Sequence, residues 1–217
     1  MYKSSTQTRS QTQRKITEST VEWVRNFVLN EREANAEDFL FASQIDTETL
    51  NHIIEEGANK GLSVALWLAG SSGGQALLAH DDFALGSQIT AGTLNYVIQE
   101  GPNKGFSVAY RLAWSREGRA LLAHGNSSLG SQITVETLNH VIEEGPNKGE
   151  SVAILLAGTE QGRSLLELNN HALGSQITAE TLNHIIEEGK YKGLSVAVCL
   201  AGTEQGRSLL ESGNHAL

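Results

Sequence analysis

Four kinds of residue recur along this chain at a spacing of 44 positions, and each could do chemistry. Lys60, Lys104 and Lys148 stand in loops reading G-x-N-K-G, and Lys192 closes the fourth such loop, which reads Lys190-Tyr191-Lys192-Gly193. A lysine among glycines ahead of a helix is a plausible anion or phosphate site. The Lys-Ser/Thr pair that a Walker loop needs is missing, so a nucleotide is not implied. Ser63, Ser107, Ser151 and Ser195 each follow a glycine by two positions. They lack the second glycine of a nucleophile elbow. A group repeated identically at the start of a helix is expected to cap or pack rather than to attack a substrate. His52, His140 and His184 are equivalent, with Tyr96 in the second copy, as are the pairs His80/His124 and His171/His215. Equivalent residues on packed helices sit about 10 Å apart, too far to share an ion whose nitrogen ligands lie at about 2 Å. Asn51, Asn95, Asn139 and Asn183 would form a row of amides. Such a row could hold the backbone of an extended peptide, or bond to a loop carbonyl or the neighbouring copy. No catalytic residue, metal site or cofactor is expected.

The elements that position these residues follow from the period. Copies begin at Ser43, Ser87, Ser131 and Ser175 without insertion or deletion, and the third and fourth agree at 34 of the 43 positions they share. The units are therefore 43–86, 87–130, 131–174 and 175–217. A fixed period of this length signals stacked units, none of which can bury its own apolar stripe. Each unit reads as three short helices. In the third, Thr134 caps a first helix carrying Leu138, Val141 and Ile142 at i, i+3, i+4, which Gly145 should end. Pro146-Asn147 turns the chain. A second helix from about Glu150 aligns Val152, Ala153, Leu156 and Ala157, and Gly158 should end it. Thr159 caps a third helix burying Leu165 and Leu166. The alternative is a single helix bent near Gly158 and Gly162.

Ahead of the copies, residues 1–15 are rich in Ser, Thr and Gln and read as a disordered tail. Residues 16–42 read as an N-terminal helical cap, a degenerate partial repeat. Val21, Val24, Phe27 and Val28 have helical spacing, Thr17 or Ser19 could cap them, and Glu37–Ala42 matches Asp81–Gly86. The net charge is −9, which opposes nucleic acid and anionic membranes. Only the second copy is basic, with Lys104, Arg111, Arg116 and Arg119 against Glu100 and Glu117. The single cysteine, Cys199, excludes a disulfide within the chain. No apolar run reaches membrane-spanning length, and the polar N-terminus lacks the apolar core of a secretory signal. A cytoplasmic location is expected, in a bacterium or in a host cell's cytosol.

Within the second helix four positions vary between copies and fall on one face. They are Leu62, Leu66, Trp67 and Gly70; Phe106, Tyr110, Arg111 and Trp114; Glu150, Ile154, Leu155 and Gly158; and Leu194, Val198, Cys199 and Gly202. Phe, Tyr, Arg and Trp together are enriched in interface hot spots. Trp67, Phe106, Tyr110, Arg111 and Trp114 are thus candidate anchors for a partner, against the alternative that this face packs between copies. In period and layout, residues 43–217 resemble the armadillo/HEAT class of α-solenoid, which implies an interaction scaffold and, in the asparagines, a peptide-holding ladder. The loop lysines are similar in placement to the nucleic-acid-tracking loops of TAL-effector-like repeats. Near-identical tandem copies also resemble the style of secreted effectors of intracellular bacteria. The expectation is an all-α, right-handed α-solenoid of four three-helix repeats with an N-terminal helical cap. It would act as a non-enzymatic scaffold for a protein or peptide, with self-association through the C-terminal repeat left open. The alternative is a nucleic-acid-tracking array using Lys60, Lys104, Lys148 and Lys192.

Overall fold

The computed structural model describes residues 19–30, 33–55, 57, 59–124, 129–167 and 173–212. The tail expected at 1–15, a cap at Thr17, and His171 and His215 lie outside the described residues. Among the described residues the chain is helical and has no strand; one isolated backbone bridge joins Ile53 and Ser63. No helix among them is long and apolar enough to cross a membrane.

Helix α1 covers 19–29 and α2 covers Ala36–Ala42. Asn35 caps α2 and is answered by Asp38 in a reciprocal capping box. Each copy then supplies three helices. The first are α3 (Thr47–Asn51), α6 (Ala91–Asn95), α9 (Val135–Asn139) and α12 (Ala179–Asn183). The second are α4 (Val64–Ala69), α7 (Val108–Trp114), α10 (Val152–Ala157) and α13 (Val196–Ala201). The third are α5 (Ser72–Phe83), α8 (Arg116–Ala123), α11 (Glu160–Glu167) and α14 (Glu204–Ser212).

The first helix is shorter than its apolar spacing suggests. It stops at Asn139, not Gly145: His140 turns to extended backbone and residues 141–143 are not helical. There Ile142 N–H donates to Glu150 O and Gly149 N–H donates to Ile142 O, at 2.9 and 2.8 Å. The G-x-N-K-G stretch is thus the tip of a tight hairpin. Gly145 and Gly149 both take left-handed backbone, with φ of 83° and 86°, which is why glycine brackets each loop. The second and third helices are separate. Ser151 caps α10 through the Ile154 N–H, and Thr159 accepts from Gly162 N–H at 3.1 Å to open α11. The recurrent serines at 63, 107, 151 and 195 all cap second helices.

Helices of five to eight residues have little stability alone; packing holds them. Each second helix packs on the next, α4 on α7, α7 on α10 and α10 on α13. The third helices do the same, and α2 packs on α5 as α5 packs on α8. Leu68, Leu112 and Leu156, with Leu78, Leu122 and Leu166, form one continuous buried core. The glycine three residues after each hydroxyl cap permits this approach. A Cβ on Gly118 would collide with the Leu112 carbonyl oxygen, and Gly74, Gly162 and Gly206 repeat the contact.

Candidate functional site

The asparagine row is spent inside the molecule. Asn95 Nδ2 donates to Ala91 O in its own helix and to Gln132 O of the next copy, at 2.8 and 2.7 Å. Its Oδ1 accepts from Thr134 N–H at 2.9 Å. Asn51 and Asn139 make the same bonds to Gln88 and Thr90 and to Gln176 and Thr178. The expectation of a peptide-holding ladder is corrected at these three positions, because both amide donors are already used. Among the described residues Asn183 makes only its own-helix bond, to Ala179 O at 2.9 Å.

The loop lysines also face the neighbouring copy. Lys60 reaches Glu100 at 3.3 Å, Lys104 reaches Glu144 at 3.0 Å and Glu143 at 3.6 Å, and Lys148 reaches Glu188 at 3.7 Å. The hydrogen bond that Lys104 Nζ donates to Glu144 holds its ammonium pKa above the ordinary value. Three of the four expected phosphate sites thus present a lysine already paired with a glutamate; among the described residues Lys192 has no such pair. Among the described residues no cluster of His, Cys, Asp and Glu could hold a metal ion.

The variable face divides. Phe106 and Tyr110 are interior residues, with Tyr110 only 3% exposed. Their candidacy as surface anchors is corrected on that ground: they pack between copies. The Tyr110 hydroxyl donates to Glu150 Oε2 at 2.7 Å, and Glu150 is itself buried. Burial pushes the Tyr110 hydroxyl far up and raises the Glu150 carboxyl, so a protonated phenol faces a carboxyl group whose ionisation burial disfavours. Trp67 is half-buried against the core.

Arg111 and Trp114 reach the surface. Arg111 lies over the Phe106 ring, with its guanidinium carbon 4.2 Å from the centroid, and donates to Asn103 Oδ1 at 3.2 Å. Trp114 is 43% exposed. The other copies have glycine there, at Gly70, Gly158 and Gly202. The Trp114 ring meets Tyr110 at 6.2 Å and, edge-on, Tyr191 at 6.5 Å. Lys190 Nζ lies 5.3 Å from the Trp114 centroid and 5.1 Å from that of Tyr191. Tyr191 comes from the fourth copy and Trp114 from the second. They meet beside Gly158 of the third, where a Cβ would lie in ordinary contact with the Tyr191 ring, at 3.9 Å.

Sequence reasoning passed over Lys190 and Tyr191 as partners of Trp114. Their signal was present, since the fourth loop replaces the Pro-Asn of the second and third copies with Lys-Tyr. It also missed Arg119, Arg163 and Arg207, which donate to Ala113 O, Ala157 O and Ala201 O at 2.8, 2.9 and 3.0 Å. A cation at the carbonyl end of these three second helices complements the dipole; in the first copy the neutral Gln75 amide donates to Ala69 O at 2.7 Å instead. No protein-family model matches the chain, and no curated protein or solved structure shows significant similarity to it.

Proposed function

We propose that the chain is a non-enzymatic interaction scaffold, a right-handed α-solenoid of four three-helix repeats closed at one end by the N-terminal helical cap. It binds a partner protein or peptide on the surface around Trp114. The observation that carries this reading is Trp114 itself, a large exposed aromatic where every sibling copy has glycine. Lys190 and Tyr191 adjoin it, and Arg111 lies three positions earlier on the same helix; each also departs from its repeat. Aromatic and arginine side chains dominate binding hot spots, whereas a residue needed only for stacking would be expected in every copy. The nucleic-acid-tracking alternative has less support, because Lys60, Lys104 and Lys148 are paired with carboxylates. Near-identical tandem copies are the support for action as a secreted effector.

The test is affinity capture from cell extract, treated with nuclease, using the intact chain beside Trp114→Gly. That substitution restores the residue of the other copies, so circular dichroism should be unchanged. The expected result is a protein retained by the intact chain and absent from the variant. Identical captured sets would remove the Trp114 surface as the binding site.

A further inference from the structure

In a stacked array each unit is held through its immediate neighbours. The fourth copy is held in this way by the third. Asn139 bonds to Gln176 O and to Thr178 N–H, Lys148 meets Glu188, and α10 packs on α13. On the far side of α13 Val198 is exposed, whereas Leu66, Tyr110 and Ile154 at that position are buried. Units with the fewest buried apolar contacts open first by local unfolding. One contact of this copy breaks the nearest-neighbour pattern. Tyr191 and Lys190, at the tip of its hairpin, pass the third copy beside Gly158 and reach Trp114 of the second.

Both ends of this contact depart from the repeat. Glycine replaces Trp114 in the other copies, and asparagine replaces Tyr191, at Asn59, Asn103 and Asn147. Asparagine has no ring to offer, and Asn103 is instead the acceptor for Arg111 of its own copy, at 3.2 Å. The Trp114 and Tyr191 rings meet at 87° with centroids 6.5 Å apart, the edge-to-face geometry that aromatic pairs favour. Lys190 Nζ lies near both rings, 5.3 and 5.1 Å from their centroids, where the ring faces attract a cation. We propose that Trp114, Tyr191 and Lys190 form a strap that fastens the fourth copy to the second across the third. Opening the fourth copy then requires these ring and cation contacts to break as well as the stacking of α13 on α10. The second copy thereby sets how readily the fourth opens. The strap is a property of the chain alone and does not depend on what binds it.

The experiment is amide hydrogen exchange on the full chain beside Trp114→Gly, Tyr191→Asn and the double variant. Each substitution installs the residue of the other copies, so the fold should be kept, as circular dichroism checks. The expected result is that Trp114→Gly, a change in the second copy, speeds exchange in α13 of the fourth by at least about threefold. Tyr191→Asn should do the same. The double variant should add nothing further, because both substitutions remove one contact. Stacking between neighbours alone would carry the effect of Trp114→Gly into the first and third copies and leave α13 as it was. Unchanged exchange in α13 of Trp114→Gly, an equal rise in α4 and α13, or additive effects in the double variant would each overturn the proposal. The scaffold reading is judged separately: the capture experiment depends on the exposed indole, and its outcome leaves the strap untouched.

Discussion

The edge formed by the first helices and hairpins differs from the row of second helices in one respect: the first repeats and the second does not. At three successive junctions the same asparagine spans to the same glutamine carbonyl and threonine amide, and the same lysine meets a glutamate. Along the second helices, the junction between the second and third copies holds a buried Tyr110–Glu150 pair. The corresponding residues are Leu66 and Phe106 at the junction before it and Ile154 and Leu194 at the junction after it. What is identical in every copy has been consumed by stacking. What differs is either a private contact between two copies or, at Trp114, surface.

The steepest test of this division is at a recurrent glycine. Gly118→Ala drives a methyl group into the Leu112 carbonyl, and α7 and α8 must separate to admit it. A loss of about 3 kcal/mol is expected from such overpacking, measured by urea denaturation. Gly92 is a control in the same copy. It is exposed in α6, a Cβ there would meet only Thr90 Oγ1 at 3.9 Å, and the other copies have glutamate at that position. Gly92→Ala should therefore stabilise by about 0.5–1 kcal/mol through helix propensity. Similar effects at both glycines would break the link between recurrence and packing.

Next in size is the asparagine row. Asn95→Ala leaves Gln132 O and Thr134 N–H without their partner, at a cost of about 1–3 kcal/mol. Asn183→Ala removes only a bond within its own exposed helix end, and about 0.5 kcal/mol or less is expected. The fourth copy's face is otherwise bare: Val198 is 53% exposed, whereas Leu66, Tyr110 and Ile154 at that position are buried. Equal costs at Asn95 and Asn183 would show that the amide's value lies within its own helix.

These contrasts also mark what the sequence could reveal. Hydroxyls ahead of helices disclosed the caps at Thr134 and Thr159, because capping is local and the pattern recurs. The end of the first helix was not legible. Leu138, Val141 and Ile142 have helical spacing, but hairpin bonds joining Ile142 to Gly149 and Glu150 take that stretch out of the helix. A tertiary contact overrides the periodicity there. Aromatic residues on one face of α7 read the same whether a foreign partner or the neighbouring copy covers them. Only the structure separates Tyr110, which is covered, from Trp114, which is not.

The smallest expected effect lies at the private contact itself. Burial raises the Glu150 carboxyl above the ordinary carboxylate range, while the Tyr110 hydrogen bond lowers it by less. The folded chain thus holds this proton to higher pH than the unfolded chain does. The stability it contributes is complete below the unfolded value and declines as pH rises through the folded one. Glu150→Leu installs the residue found at Leu62 and Leu194 and removes that decline. It also leaves the Tyr110 hydroxyl without an acceptor, but that cost does not change with pH in the acidic range. Melting temperatures across pH 4 to 7, an interval set by the ordinary carboxylate pKa of about 4.3, should therefore show the variant gaining on the parent as pH rises. Tyr110→Phe should do the reverse, because losing the donor raises the carboxyl further and steepens the decline. Parallel profiles for all three chains would mean that Glu150 titrates alike in the folded and unfolded states. The Tyr110–Glu150 contact would then be an ordinary stacking contact rather than a strained exception at one junction.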